Sequence, residues 1–369
     1  MARVFYTPAA ERAKAPLRRR SFALKGGHYL HCTKESLLRA GELAVVNLGR
    51  FAVSLGFMFL FQFLFGMPNV LVGVAIGVGF TTLPKMDLGV RPGVMAALVL
   101  LLYMGAGLAG QTALLPVWAA LPLNFLFVVL LLLLSGEPAG LKPSISFMLC
   151  FVFCQATPVP WRQYPGRLAD TLAAGGLVAA ACLLSWKKRG VQGGRSLRGQ
   201  LACCARRRGY ILRMGLGIAA AMGVGMALHL KKPLWISIVV MSLTQIEIRE
   251  TFQRIRYRFF GTLAGIAGFV VLMQLLVPPR YASLAILALG YLSFFTPEYK
   301  HKQVVNAISA INASLVLLDP SSAIANRLLC FAGGVLIVLL LWFLEHRAKR
   351  VLRGRLRPFS PGGHGRPAA

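Results

Sequence analysis

The chain has 369 residues, 57% of them hydrophobic and only 14% charged, yet Lys and Arg outnumber Asp and Glu 41 to 11, for a net charge of +30. A soluble domain carries roughly 25% charged residues, so this composition excludes one, and the long apolar runs exclude a nucleic-acid binder, which needs a polar basic face. With a mean hydropathy of +0.66, what remains is a polytopic membrane protein whose cations gather on one side of the bilayer.

The first fifty residues are basic (Arg18-Arg19-Arg20, Lys25, Lys34, Arg39) and hold no apolar core followed by a small-residue cleavage site. Residues 1–47 therefore read as a basic cytoplasmic arm, and the run 51–66 as an uncleaved first span. Further apolar runs lie near 70–84, 93–110, 113–134, 144–158 and 168–185, making 48–186 a first membrane block. A basic linker, 187–210, carries Lys187-Lys188-Arg189 and Arg206-Arg207-Arg208. Runs resume near 211–229, 233–246, 259–277, 281–296, 303–318 and 325–344, a second block over 211–345, and a basic tail fills 346–369. The fold class expected is all-α, with about twelve transmembrane helices of about 20 residues each.

Charge sets the orientation. If arm, linker and tail are all cytoplasmic, each block crosses an even number of times, and six spans per block satisfy this. The basic loops Lys85–Arg91 and Glu247–Arg258 and the run Lys300-His301-Lys302 fall on the same side, while Gly66–Asn69, Gly110–Thr112 and Asp319-Pro320 are nearly neutral. Arg162, Lys231-Lys232 and Arg280 are exceptions on the outer side. The expected location is the bacterial inner membrane, with both termini in the cytoplasm.

The two blocks resemble each other. Arg50 opens one and Arg213 the other; Pro68 and Pro233 precede short spans; Ala174-Gly175-Gly176 matches Ala332-Gly333-Gly334. These pairs lie about 160 residues apart, which points to two parallel six-helix repeats with a substrate route between them.

The most distinctive stretch is Lys232 to Gly268: a Pro and Trp at a span entrance, an apolar run, a basic amphipathic connector, then Arg-x-x-Gly-Thr-x-x-Gly. Through Pro233, Trp235, Arg258, Gly261, Thr262 and Gly265 it resembles the fusaric acid resistance protein family, inner-membrane proteins related to aromatic acid exporters. The segment from Asp319-Pro320 through Arg327 to Ala332-Gly333-Gly334 resembles that family's last span. The likeness is strong over about 210–345 and weaker over 48–185, where Arg91-Pro92-Gly93 replaces the Arg-x-x-Gly-Thr form. The family commonly carries a large soluble domain beside its membrane blocks, and here only a short basic linker stands there. The resemblance implies export of small organic anions, aromatic acids especially, often with a periplasmic adaptor of the membrane-fusion type.

Arg91 and Arg258 precede the third and ninth spans, where a guanidinium beside free helix N–H groups suits an anion; the alternative is an anchor at the headgroups. Gly261, Gly265 and Gly268, with Thr262, recur at helical spacing and suit close helix packing or a thin pore wall. Asn306, Ser309 and Asn312 share one face of the eleventh span and suit either an anion route or interhelical hydrogen bonds. Thr244 and Gln245 end the short eighth span, and Gln155 the short fifth; short segments at matching places point to a transport site. Asp170 is the candidate coupling carboxylate, but its spacing from Arg167 predicts a local ion pair, and no acid is expected deep in a span. The seven cysteines form no metal or disulfide pattern, so no metal or cofactor is expected. Without a Walker A loop or a catalytic constellation, the chain reads as no enzyme.

The reading is thus an efflux permease for organic anions, with the lipid bilayer as partner and no nucleic acid; a homo-oligomer is compatible with it. Two rivals stay open. One is a passive anion channel, since a related plant malate-channel family shares some of this architecture by resemblance. The other is a membrane scaffold that moves no solute.

Overall fold

A computed structural model describes residues 34–191, 194–228, 230, 233–295, 299–315 and 318–355. The expectations placed on Arg18-Arg19-Arg20, Lys25 and Lys231-Lys232 lie outside these residues. Among the described residues there are thirteen α-helices and no strand. In chain order they are α1 (Lys34–Phe65), α2 (Val70–Thr82), α3 (Pro92–Gly110), α4 (Val117–Ser135), α5 (Ser144–Ala156) and α6 (Tyr164–Lys188). A short α7 (Leu197–Ala205) lies in the linker. Then come α8 (Arg208–Ala227), α9 (Leu234–Leu243), α10 (Ile248–Phe269), α11 (Ala282–Leu292), α12 (Tyr299–Ser314) and α13 (Pro320–Arg355).

Prolines mark where these helices begin. Pro92 and Pro165 occupy the first turns of α3 and α6, and Pro116, Pro143 and Pro233 sit at the N-caps of α4, α5 and α9. At these positions the missing N–H would have been orphaned anyway. The linker helix α7 opens on Ser196, whose Oγ accepts from the Gly199 N–H at 3.2 Å, a side-chain N-cap.

Every apolar run becomes a helix, and among the described residues eight of these helices are long and apolar enough to cross a membrane. These are α1, α2 with its flanking turns, α3, α4, α6, α8, α10 and α13. The 13 residues of α5 and the 10 of α9 rise only about 20 and 15 Å, against a hydrocarbon core of about 30 Å. The 16-residue α12 opens with Lys300, His301 and Lys302 and is too polar at that end.

Loops that the sequence puts on one side share one end of the helices. The Trp186 indole donates to Met86 O at 2.9 Å, Gln200 Nε2 to Glu137 O at 3.1 Å, and Arg207 pairs with Glu137 at 2.7 Å. Lys142 Nζ donates to Gln245 Oε1 at 2.9 Å, tying the α4–α5 loop to the α9–α10 loop. Gly89 makes one of these joints possible: its φ is +64°, and a Cβ there would stand 2.7 Å from Arg195 Nη2. The backbone N–H of Arg195 donates to Gly89 O at 3.1 Å. We call this the linker end. At the far end, Arg167 donates to Pro68 O at 3.0 Å and Gln111 to Val159 O.

The main core runs through α3, α5, α8 and α9, with Tyr103, Phe147, Phe151, Met214 and Val240 fully or almost fully buried. A smaller one gathers Phe269, Ile308, Ile311 and Ala323 from α10, α12 and α13. Close contact of α10 and α12 rests on small residues: a Cβ on Gly261 would lie 2.5 Å from Gln303 Cβ, and one on Gly265 2.4 Å from Ala307 Cβ. Without a hydrophobic drive in lipid, such backbone approach is what van der Waals packing between spans requires.

Candidate functional site

Because α9 is short, its C-terminal end stops among other helices. The chain leaves the helix at Thr244 with an extended backbone, ψ 112°, and the last carbonyls need donors. Cations supply them. Arg254 Nη1 donates to Ser242 O at 3.1 Å, and Arg213 Nη2 to Gln245 O and Ile246 O at 3.1 and 3.2 Å. Arg258 Nη1 donates to Ser242 Oγ. The partial negative charge of a helix C-terminus favours this gathering. Gln245 turns its Nε2 back to Ser242 O and Thr244 O and gives its Oε1 to Lys142. Burial, and then the nearby Arg254, hold the Lys142 ammonium below its usual 10.5. Arg213 is further fixed by Glu345 and by the Trp342 ring, 3.6 Å from its guanidinium carbon; Glu345 also takes Lys349 at 2.6 Å.

Near the other end of α9 lies another buried guanidinium. Arg327 of α13 is 4% exposed and stacks over the Trp235 ring at 4.9 Å. Its Nε and Nη1 have no hydrogen-bond partner. Arg258, 3% exposed, lies near enough for the two charges to repel. No described carboxylate of residues 219–341 is inside: Glu247, Glu250 and Asp319 are all exposed.

The first block has a different polar site, among α2, α5 and α6. Arg167, 2% exposed, donates to Thr157 O at 2.8 Å and to Pro68 O. The ion pair predicted from its spacing to Asp170 is absent: the guanidinium turns to the backbone, and both Asp170 oxygens are without a partner. Asp170 is 0% exposed, so an acid is buried in a span after all. Between α5 and α9 a cavity of about 40 Å³ is lined by Gln155 and Ser237 with Met222, Met226 and Pro233, room enough for water. A larger open groove, about 760 Å³, runs between α10 and α13, apolar except for Arg256; in a membrane, acyl chains cover such a surface.

The structure brings Thr244, Gln245 and Arg258 together. It does not bring Arg91 to them: Arg91 is exposed and its backbone N–H meets Arg195 O at 3.4 Å. Arg50 is exposed and donates to Asn47, whereas Arg213 is buried, so the two block-opening arginines differ in surroundings. On α12 Asn306 is exposed and Ser309 and Asn312 are half-buried; the buried residues are Gln303, Ala307, Ile308, Ala310, Ile311 and Ser314. Gly261, Gly265 and Gly268 face α12, and Thr262 is buried beside them. Sequence reasoning gave no site role to Arg213, Trp342 or Lys142, and took Arg327 and Trp235 only as marks of resemblance. A cation within the apolar α13 run was the available signal for Arg327.

The family described as fusaric acid resistance protein-like matches residues 219–341. A search of curated proteins and of solved structures finds no match. Eight long apolar helices among the described residues support a multi-pass membrane protein, and the family match over residues 219–341 suggests one of transporter or efflux type. Residues 219–341, which hold Pro233, Trp235, Arg258, Gly261, Thr262 and Gly265, thus carry the signature of the fusaric acid resistance protein-like family.

Proposed function

We propose that the protein is an inner-membrane efflux permease exporting small organic acids, aromatic carboxylates foremost, from the cytoplasm. The observation that carries this is the interior of residues 219–341: two guanidiniums buried around one short helix, with no buried carboxylate among the described residues to neutralise them. An unpaired buried charge costs several kcal/mol, and an anionic solute offsets that cost when it arrives. Cations at the linker end then serve as the cytoplasmic entrance, with Lys142, Arg254 and Arg258 around the end of α9. Both termini are cytoplasmic in this reading, and α5, α9, α11 and α12 complete about twelve crossings with bilayer thinning or tilt around the short ones. The two-repeat reading is supported by α3 packing on α5 as α10 packs on α12, at corresponding places in the blocks. A periplasmic adaptor of the membrane-fusion type would receive the solute. Asp170, fully buried with both oxygens unpartnered beside Arg167 and Cys154, is the group that carries the coupling proton.

The test is flux from proteoliposomes loaded with hydroxybenzoates and related acids. Arg258→Gln should abolish most export and leave insertion intact, and Asp170→Asn should remove the dependence on a proton gradient. Anion currents with no gradient-coupled step would make the protein a channel. No flux of any organic acid would end the transport reading in favour of a scaffold.

A further inference from the structure

The surroundings of Arg327 are rich in donors and poor in acceptors. Arg327 Nε and Nη1, Trp235 Nε1 and Asn326 Nδ2 are all buried N–H groups without a partner. Buried polar groups in native proteins are nearly always satisfied, and several orphaned donors in one region call for an acceptor that the chain does not itself provide. The Trp235 ring centroid lies 4.9 Å from the guanidinium carbon. The Nε–H and Nη1–H groups of Arg327 point in different directions, so each can donate one charge-assisted hydrogen bond to an anionic oxygen. Arg327 is the eighth residue of α13, about 10 Å along the helix from its start, within the span rather than at its end.

We propose that Arg327, positioned by Trp235 and joined by Arg258 near the other end of α9, is a binding site for the carboxylate of a small organic acid. The assignment rests on the transport reading and sharpens it: Arg258 receives the anion from the linker end, and Arg327 holds it next. Like charge on both residues keeps either from trapping the solute, since each offers an alternative to the other.

The site is tested by equilibrium binding of radiolabelled 4-hydroxybenzoate to the full chain in detergent, with benzoate, inorganic phosphate and phosphatidylglycerol as competitors. Losing a charge-assisted pair should weaken binding about tenfold or more in Arg327→Gln. Benzoate should compete, and phosphate and the lipid should not. Should Arg327→Gln fail to fold, Arg327→Lys keeps the charge but lacks the fork, and binding should still weaken. Trp235→Phe, which keeps a ring and removes the indole N–H, should weaken it less than Arg327→Gln. Wild-type binding in either folded Arg327 variant, with export of the wild type intact, would overturn the site and leave the transport function standing. Displacement by phosphatidylglycerol but not by benzoate would also overturn it, as a lipid headgroup site. Absence of both binding and flux for every acid in the wild type would instead remove the transport reading on which the site depends.

Discussion

Gly265→Ala tests the seam between α10 and α12 with a single methyl. The new Cβ would meet Ala307 Cβ at 2.4 Å and the Val304 carbonyl oxygen at 2.9 Å. Carbon atoms are in optimal contact at about 3.5–4.0 Å, so the helices must part by roughly 1 Å. Neither neighbour is the end of a flexible side chain that could swing away. Overpacking of this kind costs about 1–3 kcal/mol, and the rigid backbone oxygen puts this case near the top of that range. Alanine also returns about 1 kcal/mol of helix propensity, leaving a net loss of about 2 kcal/mol, up to about 30-fold in the folded ratio. Gly176→Ala is the control: α6 offers nothing within 4 Å of that Cβ, so the same change there should stabilise by roughly 0.5–1 kcal/mol. The two variants, titrated with a denaturing detergent, should therefore move in opposite directions. Ala307→Gly in the Gly265→Ala background should recover only part of the loss, because the Val304 oxygen remains. If Gly265→Ala proves as stable as Gly176→Ala, α10 and α12 do not touch there and the packing of the second block is wrong.

Arg213→Met should cost roughly 3–5 kcal/mol, because it strands Glu345 and two carbonyls at the end of α9; Glu345→Gln, which keeps a hydrogen-bond acceptor, should cost less in the same detergent titration. Lys142 binds fewer protons folded than unfolded in the pH range just below 10.5, since its folded value is the lower one. Stability should therefore rise with pH through that window, and Lys142→Gln should flatten the rise; a steeper rise in the variant would contradict the burial of this ammonium. In a background lacking Cys32 and Cys203, a membrane-impermeant maleimide applied to spheroplasts should label Trp161→Cys and spare Asp87→Cys, both at exposed positions. The reverse pattern would invert the proposed orientation.

How much of this was legible in the sequence differs by level. Apolar runs placed every helix but the linker's α7, because burying or membrane-embedding a backbone leaves the helix as its way to satisfy itself. Length is where composition says least about a span: α9 looks like its neighbours in composition and differs only in being 10 residues long. Arg167 and Asp170 show the limit of spacing rules. Two residues three apart on a helix can pair, but Arg167 finds the Thr157 and Pro68 carbonyls, and no local pattern reports on distant backbone. Asn306, Ser309 and Asn312 share one helix face by their spacing, yet a face has no sign until packing assigns it. The small residues of α10 chose the Gln303–Ala307 side of α12 because side chains there could be approached closely.

The end of α9 has a practical consequence for genetics. Arg213 and Arg254 hold that helix end by its carbonyls, so substitutions there break assembly before they alter any solute preference. Under the proposed export function, a screen for lost activity would be crowded with such variants and would say little about recognition. Selecting for a changed range of tolerated acids, at normal protein abundance, filters them out and leaves positions such as Arg327 and Trp235 to be found.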